Sequence, residues 1–321
     1  MDREKLKGQI AVITAAALLF AVFDAGLYLL FTRRYEDRSP ELMVAKSIEL
    51  DKYLPFDEKS RIVRLETDFK MDGELPVLDG ATALFPIYSA VMNSVYPEGS
   101  CEFDGVDFSE ASLLQKRGTT EAYRAIINGT ADIIFVAQPS EKQLAFAEES
   151  GAELVMVPIG KEAFVFIANE KNPIETLTVE QIKGIYSGQY VNWSQVGGRN
   201  YPINALQRAE GSGSQTAMQA FMKDSYLKKN TTNILGKSIG FSFRFYVTDL
   251  AGKSGVKTIA VNGIEPTEEN IRNGSYPITD MFYAIYRADN DNPNVPLLVD
   301  WVISDEGQKI VNDTGYVGIN G

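Results

Sequence analysis

From about Pro76 onward, short apolar runs alternate with helix-periodic ones, and this alternation limits the possible folds more than any other feature of the chain. "PVLDGATALFPIYSAVMNSVY" reads as strand, glycine turn and helix, and "TTEAYRAIINGTADIIFVAQ" as helix, turn and strand. "ELVMVPIGKEAFVFIAN" reads as a pair of strands interrupted by Pro158 and Gly160, and "LTVEQIKGIYSG" as a helix capped by Thr178. Three further strands are predicted in "YPINALQ", "IGFSFRFYVTDL" and "YPITDMFYAIYR". "VPLLVDWVISDEGQKIVNDTGYV" reads as one terminal helix ending at Gly315. The alternation predicts α/β units with mostly parallel sheets, whose strands are buried on both faces. A length of 321 residues with 45% hydrophobic content supports two such lobes.

The segment ahead of them is different. Residues Ile10 to Phe31 are apolar except for Asp24. At about 1.5 Å per helical residue they reach across a bilayer core of about 30 Å. The run is longer than a cleavable signal centre and has neither a small-residue cleavage site nor a cysteine for lipidation. It predicts an uncleaved transmembrane anchor over residues 1–34. Orientation stays open, because Arg3, Lys5 and Lys7 on one flank are matched by Arg33, Arg34 and Arg38 on the other. Asp24 is equally compatible with a contact to another membrane helix and with a weakened anchor. Residues 35–75 read as a juxtamembrane spacer, with "SPELMVAKSIELDKYL" helical.

Charge and composition then exclude whole classes of function. A net charge of −12 argues against a nucleic-acid partner, since phosphate backbones are held by basic surfaces. A small anion is not excluded, because a diffuse acidic surface is screened beyond about 8–10 Å while local dipoles act within a few ångströms. Histidine is absent and Cys101 is the only cysteine. Ser-His-Asp and Cys-His catalysis, the usual zinc sites and an internal disulfide are therefore excluded, and no cofactor is predicted.

One segment carries recognisable chemistry. "RAEGSGSQ", residues 208–215, places an arginine ahead of a glycine-serine loop, with a helix-periodic run following. A glycine loop turned into a helix N-terminus gathers backbone N–H groups and the positive dipole end, which together attract anions. The segment lacks the third glycine of a dinucleotide fingerprint and the lysine of a P-loop. By itself it is equally an ordinary solvated loop with an N-cap.

The order and spacing of "DGATALFPIYSA", "GTADIIFVAQPS", "PIGKEAFVFIANEKNPIETLTVEQIKGIYSGQYVNWSQVGG", "QRAEGSGSQTAMQAFM" and "TGYVGI" resemble the phosphate-binding proteins of ABC-type phosphate transporters. These are periplasmic-binding-protein-like receptors, and the likeness spans about Pro76 to the C-terminus. It implies a two-lobed, hinged α/β fold, with lobe 1 formed by 76–160 and 284–321 and lobe 2 by 161–283. It also implies one oxyanion, inorganic phosphate, held between the lobes and passed to ABC permease subunits. The implied protein is a monomer and not an enzyme, fixed to the cell membrane by a single pass with its binding domain on the extracytoplasmic side.

The implied ligand set is Arg208, Ser212, Gly213 and Ser214 from the motif, the turn Thr82, Ala83, Leu84 and Phe85, and Thr119 and Thr120. Pro86 suits the first helical turn and would leave the amides before it facing the ligand. Tyr88, Phe135 and Tyr283 read as packing. Two departures from the family bear on selectivity. Leu84 stands where members carry a threonine, so Thr82 or the backbone would act there. Gln138 stands where members carry an aspartate that accepts the proton of hydrogen phosphate, which implies weaker rejection of sulfate. A receptor or sensor for sulfate or another oxyanion is the alternative.

Overall fold

The structure, a computed structural model, describes residues 50–229, 236–250 and 255–320 together with a few positions between 14 and 26. Among the described residues no helix is long and apolar enough to cross a membrane, and most of the predicted anchor lies outside them. The predicted helix at 39–54 also lies mostly outside; its described end is a short turn, Leu50–Tyr53.

The first unit follows the predicted alternation. Strand β1 (Leu78–Gly80) leads through a short turn into helix α1 (Phe85–Val95), and helix α2 (Thr119–Ile127) leads into β2 (Ile133–Ala137). The two strands pair in parallel and are buried throughout, so every side chain in them is apolar except Asp79. Gly80 is required here, because a Cβ would run into the Phe135 carbonyl of the neighbouring strand. Helix α3 (Glu141–Glu149) follows, started by a reciprocal cap in which Ser140 and Gln143 satisfy each other's backbone N–H groups.

The next strand joins the two halves of the molecule. The predicted pair of strands is one 16-residue strand, β3 (Leu154–Asn169). Pro158 has no N–H to give the ladder, and the register shifts between Pro158 and Gly160 while the strand continues. Its first part, 154–163, pairs antiparallel with β8 (Thr279–Arg287), which in turn pairs antiparallel with β2. Its remainder pairs antiparallel with β6 (Lys237–Phe243) and β7 (Val256–Val261). Outside these lie β5 (Ile203–Ala205), parallel to β6, and β4 (Thr176–Leu177), parallel to β7. Three of these pairings and that of β9 (Val317–Gly318) complete the sheet around β3.

The sheet is therefore mixed rather than mostly parallel. Among the described strands only the β1–β2, β4–β7 and β5–β6 pairings are parallel. The reason is the crossing pair: β3 and β8 run in opposite directions, and β3 sets an antiparallel ladder with every strand it meets.

Two apolar cores result. One gathers Phe85, Tyr88 and Phe135 with Leu298 and Trp301 of α7 (Asn294–Ile303) and Ile310 of α8 (Asp305–Asp313). The other gathers Phe164, Phe166 and Phe241 with Tyr186 of α4 (Val179–Ser187), Met218 of α5 (Gly213–Phe221) and Ile271 of α6 (Glu268–Arg272). Thr178 caps α4 as predicted, again in a reciprocal pair, with Gln181.

Three stretches differ from expectation. The predicted strand in "IGFSFRFYVTDL" ends at Phe243, and Tyr246–Leu250 is a helical turn. The terminal helix is two helices, broken at Ser304, whose hydroxyl accepts the Gly307 N–H at 3.3 Å and so starts α8. The described part of the predicted spacer is packed on the first core through Ile62 and Met71. It is also fastened there: Asn93 accepts the Phe56 N–H at 2.7 Å, and Asn294 donates to the Asp72 and Glu74 carbonyls. Apolar residues repeat in it too irregularly to signal an element, yet enough of them face one way to bury.

Candidate functional site

A cavity of about 250 Å³ lies where the two cores meet. Three helical N-termini converge on it: the turn Thr82–Leu84 that runs into α1, the start of α2 at Gly118 to Glu121, and the start of α5 at Ser212 to Ser214. Each end presents unpaired backbone N–H groups and the positive end of its dipole. Their shared focus is an anion-binding position.

The first end is more committed than the sequence suggests. Leu84 N–H donates to Ala81 O at 2.9 Å, and Phe85 N–H donates to Thr82 O. The Phe85 ring is fully buried and packs edge-on against Tyr88. Phe85 is therefore outside the cavity, while Thr82, Ala83 and Leu84 line it. The Ala83 carbonyl accepts from the Tyr316 hydroxyl, which ties the C-terminal segment to this turn.

At the second end the N-cap is Gly118, with φ 82, and no side chain caps the helix. Thr119 and Thr120 are thus not spent as caps, and both line the cavity. At the third end Ser212 is the N-cap: its oxygen accepts the Gln215 N–H at 3.3 Å, which leaves its proton to be donated elsewhere. The Gln215 side chain holds the loop from inside, accepting the Arg208 N–H at 2.9 Å and donating to Gln207 at 3.1 Å. Arg208, Ser212, Gly213 and Ser214 all reach the cavity. Burial lowers the Arg208 pKa from its ordinary value, and the group remains a guanidinium cation.

The loop of α5 touches the start of α2. A Cβ at Gly211 would come within 3.2 Å of the Thr120 hydroxyl, and one at Gly213 within 3.3 Å of Ala137. Gly211 also needs φ +80, which side chains rarely adopt. Two bonds span the same gap: Gln143 Nε2 donates to Gly211 O at 3.3 Å, and Lys142 reaches Glu210 at 3.5 Å.

The wall and floor hold residues that sequence reasoning missed. Arg117, at the mouth, is bound to the fully buried Asp79 at 2.6 Å. Ser242 and Phe243 come from β6, Tyr246 follows it, and Glu162 and Asp280 come from β3 and β8. Glu162 accepts from Ala163 N–H at 2.8 Å, Phe245 N–H at 3.1 Å and Arg244 Nε at 3.3 Å. Burial nevertheless pushes its pKa up to about 7, outweighing the lowering by Arg244 and the amides. Neither acid stands out in the sequence: Glu162 follows Lys161, and Asp280 follows Thr279 at the start of its strand. Gln138 is half-buried and does not line the cavity; Ala137 does.

A family profile described as a PBP superfamily domain matches residues 77–306, well over half of the chain. The chain belongs to the PBP superfamily. Among relatives of this PBP-superfamily chain, the phosphate-binding protein PstS of Borreliella burgdorferi is 27% identical over 214 residues, covering 60% of this chain and 76% of that one. The phosphate-binding protein PstS of Bacillus subtilis is 25% identical over 191 residues, and the chain spans 62% of its length. A Clostridium perfringens chain described as a phosphate ABC transporter substrate-binding protein with bound phosphate superposes with a TM-score of 0.57 at 23% identity, over 75% of this chain and 98% of that one. An ABC-type phosphate transport receptor from Vibrio cholerae superposes with a TM-score of 0.51 at 20% identity, over 75% and 98%. These superpositions speak for the PBP fold. Strand β3 contributes to both cores, with Ile159 in one and Phe164 in the other, and its Glu162 lines the cavity.

Proposed function

We propose that this chain is an extracytoplasmic solute-binding protein that captures inorganic phosphate for an ABC permease, held to the membrane by the apolar run at 10–31. The observation that carries the reading is the convergence of three helical N-termini, Arg208 and the hydroxyls of Thr119, Thr120, Ser212 and Ser214 on one cavity. The relatives named phosphate-binding protein PstS support it independently. Inorganic phosphate presents several strong acceptor oxygens and one hydroxyl, and a ring of N–H and O–H donors matches the acceptors.

Affinity arises from many charge-assisted hydrogen bonds, each worth about 1.5–3 kcal/mol before the anion's desolvation is subtracted. The ligand touches groups from both cores, so it favours the arrangement in which the α5 loop meets α2. No bond is made or broken in this reading. It is tested by calorimetric titration of the full chain, in detergent, with phosphate. One saturable equivalent is expected, and the absence of binding would refute the assignment.

A further inference from the structure

The cavity is larger than the anion it is read to hold, and only part of its wall is polar. A water-sized occupant needs about 10–15 Å³, so a cavity of about 250 Å³ has room for on the order of twenty. Inorganic phosphate at the helical N-termini fills a small part of that space. Away from the donors the lining is apolar: Leu84, Phe243, Met281, Phe282 and Tyr316. Packing fixes this wall. The Phe282 ring covers Gly160 and lies edge-on to Tyr316 with centroids 5.3 Å apart, and the Tyr316 hydroxyl is bound to Ala83 O. A bare anion gains nothing from such a surface, whereas an organic substituent does.

The same space holds a carboxylate without a counter-ion. Glu162 and Asp280 are direct partners in the antiparallel β3–β8 register, so their side chains project to the same face of the sheet. Glu162 is taken by two backbone N–H groups and Arg244. Glu121, the third acid at the cavity, is paired with Arg124. Asp280 accepts only the N–H of its neighbour Met281, at 2.9 Å, and among the described residues it forms no ion pair. A half-buried carboxylate in this state carries a desolvation cost that a bound cation recovers.

A donor-lined end, an apolar wall and an unpaired acceptor match a ligand that carries an anion, a short carbon chain and a cation. We propose that the cleft takes aminoalkyl phosphates and phosphonates, with the phosphoryl group at the helical N-termini, the carbon chain on the apolar wall and the ammonium paired with Asp280. This inference rests on the anion-binding reading above and widens its ligand from inorganic to organic phosphate. A phosphoryl group with one organic substituent keeps its terminal oxygens for the N–H and O–H donors. The aromatic rings beside Asp280 suit an ammonium as well as a carbon chain.

The test is calorimetric titration of the full chain, in detergent, with inorganic phosphate, ethyl phosphate and aminoethyl phosphate. Ethyl phosphate reports the room for a substituent and should bind within about tenfold of inorganic phosphate. Aminoethyl phosphate adds the ammonium and should bind at least about tenfold more tightly than ethyl phosphate. In Asp280→Asn the two esters should come within about threefold of each other, because the carboxamide carries no charge to hold the ammonium. Binding of inorganic phosphate and of neither ester would overturn the proposal and leave the anion reading intact. An ammonium advantage that survives in Asp280→Asn would also overturn it. So would the lack of any such advantage in wild type, a comparison that needs no variant to fold. Failure of all three ligands would overturn the anion reading itself.

Discussion

Arg208 is the side chain with the most to lose. It is a half-buried guanidinium whose backbone is clamped by Gln215, and it lines a cavity built from amide and hydroxyl donors. Arg208→Ala should weaken phosphate binding by about 10- to 1000-fold while leaving the melting temperature nearly unchanged, read by calorimetry and thermal unfolding in parallel. Gln138→Asp should leave the phosphate-over-sulfate preference within about threefold, since a substitution off the cavity wall has little leverage on the ligand. Glu162 gives a pH prediction. Its pKa rises from 4.5 to about 7 on folding, so its unfolded form loses its proton first. The folded state is therefore favoured below 4.5 and loses that advantage as the pH climbs to about 7. Denaturant titrations should show Glu162→Gln gaining on wild type across that window; parallel curves would contradict it. The sequence made Arg208, Ser212 and Ser214 legible because a glycine loop entering a helix is local chemistry. Glu162, Asp280 and Arg117 were not legible, because each is brought to the cavity by pairing with a residue far away in the chain.

At the scale of elements, the least forgiving point is Gly160. A Cβ there would strike the Phe282 ring just where the β3 register shifts. Gly160→Ala should therefore cost about 1–3 kcal/mol, measured as a lowered urea midpoint with unchanged slope, since the ring must leave its place to admit a methyl group. Helix starts were readable, as the Thr178 cap shows, because a cap depends on residues three apart. The Ser304 break was not read, since the stretch from Ser304 to Lys309, without an apolar side chain, reads equally as the exposed face of one helix and as a cap between two. Strand direction was harder still. A buried parallel strand and a buried antiparallel one look alike in sequence, and only the course of β3 between the cores decides between them.

For the whole molecule, the apolar run at 10–31 predicts behaviour that the domain alone would not show. The full chain should sediment with membranes, and a form lacking residues 1–34 should remain in the supernatant; an intact chain found soluble would remove the anchor from the account. The two-lobed arrangement was legible because alternating elements leave few alternatives, whereas the packing of residues 50–75 needed the finished core to reveal it. That core has a further consequence for how the protein is made. Its earlier members, such as Phe85 and Phe135, share it with Leu298, Trp301 and Ile310, which are synthesised long after them. During synthesis the first half must wait with its apolar face uncovered until α7 and α8 have emerged, and it is then that the growing polypeptide has most need of a chaperone.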